Sequence, residues 1–212
     1  DWDPNIPVIK TLRDFARLFI GYDYTESIAQ GLIALEENWR GPLAANEGVN
    51  VTLKQWQDME NSAPEGVLNN YRFEMGLLRA YYDEYIHCRL IYEIGLENEA
   101  MEVLRKASVK GSFPSIENAR KILARAKTQP IAKDYHRHCE EVADRLFLHI
   151  GEQLTVEKHG AIAWNRGAFM DAIDIPLNDA QWLNIQFNRI EKLDNETERL
   201  KAIYKILRRN DP

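Results

Sequence analysis

Apolar residues recur along this chain at spacings of three and four, the period of helices that bury one face. Val8, Leu12, Phe15, Leu18 and Phe19 mark the first such stretch, over 7–20, which opens at Pro7 and stops at Gly21. Proline suits a first helical turn, where its missing N–H has no intrahelical partner to lose. A second stretch follows Asp23, with Glu26 three residues on in a pattern close to a capping box. Ile28, Leu32, Leu35 and Trp39 form its inward face, and Gly41-Pro42 ends it. Beyond a loop over 46–50, Asn50 is placed to cap a third helix to about residue 61, with Leu53, Trp56 and Met59 inward.

Pro64 and Gly66 break the chain, and the longest unbroken helical pattern then covers 67–108. Roughly forty residues would reach about 60 Å, so a kink is expected, with Gly76 and Gly95 as its weak points. Ser115 is read as the cap of a helix to Thr128, and a second long helix is expected over 132–154, with Tyr135, Val142, Leu146, Ile150 and Leu154 as its inner stripe. The stretch 155–178 is irregular and polar. Asn178 and Asn195 then cap two last helices, to about Lys192 and Arg208. Alternating strand-like runs are essentially missing, and no period of about 20–50 residues repeats, which disfavours a solenoid. The pattern predicts an all-α fold. It is an irregular antiparallel helical bundle of about eight helices, two of them long, read as one domain over 1–212. A boundary near Pro114 or Pro130 lacks linker-like composition.

Composition narrows the class. At 212 residues a fold buries roughly 70% of what its unfolded chain exposes, so a core needs no staples. With 27 basic and 33 acidic residues, net charge −6, bulk-charge binding to nucleic acid or to an anionic membrane is not expected. No stretch approaches the ~20 apolar residues of a membrane helix. Cys88 and Cys139 cannot build a disulfide framework. They read as two small buried residues, with one bridge between neighbouring helices as the alternative. The opening Asp1-Trp2-Asp3-Pro4 has no initiator Met, so the chain reads as an excised piece of a larger protein, and the missing signal peptide leaves the compartment open.

Few residue groups carry chemistry. One Glu-x-x-His pair, Glu84 to His87, stands where a di-iron bundle needs two. His136 and His138 lie about 200° apart on a helix and cannot share an ion, whereas His136 and Glu140 share a face. No phosphate loop, nucleophile elbow or Cys-x-x-Cys pair is present, and no cofactor or metal is expected. Tyr71, Phe73, Tyr81, Tyr82, Tyr85 and Tyr92 form a dense aromatic run, read first as packing and second as a docking or sugar-stacking face. The stretch 166–178 is the most informative. Asp171 and Asp174, neighbours on one helical turn, could hold a cation, work as an acid/base pair, pair with Arg166 or Arg79, or meet a partner domain.

Several phrases together resemble a known architecture. They are Trp2-Asp3-Pro4, Leu12-Arg13-Asp14-Phe15-Ala16-Arg17-Leu18-Phe19-Ile20-Gly21, Leu35-Glu36-Glu37-Asn38-Trp39-Arg40-Gly41-Pro42-Leu43, Arg79-Ala80-Tyr81-Tyr82-Asp83, Gln153-Leu154-Thr155-Val156, Arg166-Gly167-Ala168 and Asp174-Ile175-Pro176-Leu177-Asn178. The set resembles the C-terminal helical region of large bacterial glycoside-hydrolase-like proteins of hexosaminidase-like or α-glucuronidase-like architecture. The resemblance implies a non-catalytic accessory domain of a carbohydrate-active enzyme. Its implied partners are a catalytic barrel of the same parent protein and a glycan, beside the charge-based expectation of no nucleic acid and no membrane, and its place is extracellular or periplasmic if the parent is secreted. It also implies that Trp39, Arg40, Tyr81, Asp83, Arg166, Asp171, Asp174 and Asn178 face the barrel or its ligand. A self-sufficient hydrolase built on the loop from Arg166 to Asp174, and a helical protein–protein module, are the alternatives.

Overall fold

A computed structural model describes residues 5–160 and 169–209, and among them there is helix and no strand. The helices are α1 (Val8–Phe19), α2 (Thr25–Glu37), α3 (Gly48–Ser62), α4 (Glu65–Leu68), α5 (Tyr71–Arg105), α6 (Ala107–Lys110), α7 (Ser112–Thr128), α8 (Lys133–Ile150), α9 (Val156–His159), α10 (Ala180–Ile190) and α11 (Glu196–Arg209). Eight of them have seven or more residues, in line with the expected all-α class.

The chain divides into two compact units, Asp1–His87 with Ala132–Asp174, and Cys88–Ile131 with Ile175–Pro212. Helix α5 gives 71–87 to the first and 88–105 to the second. In the first unit, Trp56 of α3 is fully buried and is the centre of the packing. Its indole donates to the Gly31 carbonyl at 3.3 Å and its ring lies 5.7 Å from that of Phe73. Two glycines make room for it. A Cβ on Gly76 would fall 2.1 Å from the Trp56 ring, and one on Gly31 3.2 Å from it. Gly76 is therefore a seat for the indole, and α5 runs on through it without a break; Gly95 has open space around it.

Other boundaries moved for reasons that lie in side-chain bonding. Helix α3 starts at Gly48, because the Asn46 side chain accepts the Gly48 N–H at 2.9 Å. Helix α5 starts at Tyr71, with Asn70 accepting the Arg72 N–H at 3.0 Å. Helix α7 starts at Ser112, not at Ser115, since a remote carboxylate, Glu196, accepts both the Ser112 N–H at 2.7 Å and its hydroxyl at 2.6 Å. Helix α8 ends at Ile150 because Gly151 takes a left-handed φ of 72°. Asn195 caps α11 as expected, accepting the Glu198 N–H at 2.9 Å. Helix α1 differs most from its pattern. Ala16 is its one buried residue, while Val8, Leu18 and Phe19 stay exposed. Helix α1 packs chiefly on α2, and part of its apolar stripe is left uncovered.

The core of the second unit joins Leu104, Ile116, Leu123, Leu183, Phe187 and Ile203, from α5, α7, α10 and α11. Cys139 is buried and Cys88 half-buried, and neither forms a disulfide. No helix among the described residues is long and apolar enough to cross a membrane.

Candidate functional site: a polar cavity beside α8

The residues expected to face a partner separate into three settings. Asp83, fully buried on α5, holds the end of α2. Its carboxylate accepts from the Asn38 amide at 3.0 Å, the Trp39 indole at 2.9 Å and Arg79 at 2.9 Å. Burial pushes the Asp83 carboxyl up, and the three donors offset only part of that rise. Trp39 is half exposed with the Arg79 guanidinium 5.5 Å over its ring, and Arg40 stands in solvent, paired with Glu37 at 3.2 Å. Tyr81 is buried and donates to Glu60 at 2.9 Å, with the His138 ring stacked on it at 4.7 Å. Its phenol is pushed up to about 12, mainly by burial. Asn178 belongs to the second unit, where it accepts the Ala180 N–H at the start of α10 and donates to the Glu93 carbonyl at 2.9 Å. Arg166 lies outside the described residues.

Asp171 and Asp174 do come together, at a cavity of about 360 Å³ in the first unit. Helix α8 forms one wall with His136, Glu140, Ala143 and Asp144, which share a face through their spacings of four, seven and eight. Thr155, Lys158, Met170 and Ile173 complete the lining. Each carboxylate is held by donors of the fold. Asp171 accepts the Val156 N–H at 2.8 Å, at the start of α9. Asp174 accepts from the buried Tyr85 hydroxyl, and His136 Nε2 stands 3.3 Å from its other oxygen. Asp144 pairs with Lys158 and lies 3.1 Å from His159, whose ring stacks on Phe147 at 4.2 Å. Partial burial works to raise the Asp144 carboxyl, but the bonds from Lys158 and His159 outweigh it and hold the group below its ordinary value.

A second polar cluster fastens α8 elsewhere. Glu74, fully buried on α5, lies 2.8 Å from His149 and 3.4 Å from Arg145. The Arg145 guanidinium supplies a positive charge beside this buried carboxyl. Among the described residues no three His, Cys, Asp or Glu side chains gather as metal ligands do.

The sequence pattern had placed His136 and Glu140 on one face, and extending that face by one turn reaches Asp144. Thr155, Lys158 and Tyr85 carried no such signal, since their approach depends on the tertiary path. Compared with family models, curated proteins and solved structures, the chain gives no match.

Proposed function

We propose that this chain is a non-catalytic accessory domain of a carbohydrate-active enzyme, which packs on a catalytic barrel and offers the cavity beside α8 to a glycan. The reading rests on one observation above the others: Asp144, Asp171 and Asp174 each already accept bonds from the fold. A glycosidase needs one carboxyl kept protonated near neutral pH, opposite a second carboxylate across the sugar. Asp144 is shifted the wrong way for that acid. A small open cavity rich in fixed acceptors does suit sugar hydroxyls, which donate and accept in turn. The sequence phrases that resemble glycoside-hydrolase-like proteins supply the substrate class and the barrel.

The test uses the purified chain with aryl glycosides and, separately, with a glycan library. The expected outcome is no release of the aryl group, together with weak glycan binding that D171N and D174N reduce. Hydrolysis abolished by the same substitutions would replace this reading with a self-sufficient hydrolase. Absence of any glycan binding would remove the ligand from the proposal.

A further inference from the structure

The second unit carries a groove of different character. Between α10 and α11 lies a cavity of about 430 Å³, floored by Trp182, Ile190 and Ile206 and edged by Arg189, Lys205 and Arg209. Ile190 and Ile206 also belong to the buried core of this unit, so the floor is continuous with that core. Arg209 lies 4.0 Å over the Trp182 ring and 3.4 Å from Asp179. Arg189 and Lys205 make no ion pair among the described residues. A chain of net charge −6 thus turns three cations toward one apolar slot.

We propose that this groove binds an amphiphilic anion, with an apolar body on the isoleucines and Trp182 and a carboxylate between Arg189 and Lys205. The volume falls in the range of small-molecule sites, about 300–1,000 Å³. Two turns of a docked helix, about 10 Å across, would need roughly twice the room. A second copy would bring the same surplus of negative charge to the encounter. The guanidinium and ammonium groups select sign, and the floor selects an apolar body.

Calorimetric titration of the full chain with decanoate, acetate and decyltrimethylammonium separates these contributions. Decanoate is expected to bind saturably at one site. Acetate lacks the body and decyltrimethylammonium reverses the charge, so both should bind far more weakly. R189E and K205E alter exposed side chains, and each should weaken decanoate by about tenfold while the circular dichroism spectrum stays unchanged. Equal binding of decyltrimethylammonium, or decanoate binding indifferent to both reversals, would overturn the proposal. So would an acidic amphipathic peptide that binds where decanoate does not, which would make the groove a protein-docking site.

Discussion

The tightest constraint in the first unit falls on a residue without a side chain. At Gly76 an added methyl would stand 2.1 Å from a buried indole that has no room to retreat. G76A is expected to destabilise the protein by about 1–3 kcal/mol, the usual range for overpacking. G95A sits in open space on the same helix and should stabilise by about 0.5–1 kcal/mol through helix propensity alone. Urea denaturation of the two variants checks both signs, and a G76A protein as stable as wild type would remove Trp56 from its assigned place. Cys139 makes a second prediction at this scale. Burial pushes its thiol up to about 12, so at pH 8 it should resist a thiol reagent until denaturant is added. Both glycines were visible in the sequence as interruptions of a helix. Their opposite roles were not, because the indole that distinguishes them arrives from α3.

At the scale of elements, helix identity was legible because apolar spacing is a local property. Boundaries followed side-chain bonds, some of them local and some not. Asn195 acts on its own helix, and its capping role is readable. Glu196 acts on Ser112, 84 residues away, and nothing in the sequence announces that pairing. Bonds from the Ser112 hydroxyl, then from its N–H, and the nearby Arg199 hold the Glu196 carboxyl below its ordinary value. A lowered carboxyl contributes stability above the unfolded value, about 4.3, and loses it as pH falls through the folded one. E196Q should therefore melt at a lower temperature than wild type at pH 7. The gap should close as the solution is acidified below pH ~4 and the wild-type carboxyl gains its proton. Melting curves across that range test it; a gap that persists into acid would mean Glu196 works by shape and not by charge. The cavity shows the same division. The α8 wall obeys helical spacing, whereas Thr155 and Lys158 reach it through a chain reversal that no periodicity encodes.

For the whole molecule, each unit is assembled from two stretches of chain far apart in sequence. The core of the second unit draws Leu183, Phe187, Ile190, Ile203 and Ile206 from the last two helices. A chain truncated after Asp174 is expected to leave Leu104, Ile116 and Leu123 without those partners. Hydrogen exchange should then show α7 unprotected while α2 and α3 keep their protection. Protected α7 amides in that fragment would show that α5, α6 and α7 hold together without α10 and α11. Charge and composition were silent on the contrast between an acceptor-rich cavity and a cation-edged apolar groove. Both arise from residues that meet only after folding.

The interleaving of segments also sets the order in which the protein can be made. A ribosome delivers Leu77 and Tyr81 of α5 long before it delivers Cys139, Val142 and Leu146 of α8, with which they share the core of the first unit. Through that interval the face of α5 that meets α8 stays open, although α3 already covers the side that carries Phe73. Synthesis of this protein should thus pass through a stage that depends on chaperones, beginning when α5 emerges and ending only once α8 has cleared the exit tunnel.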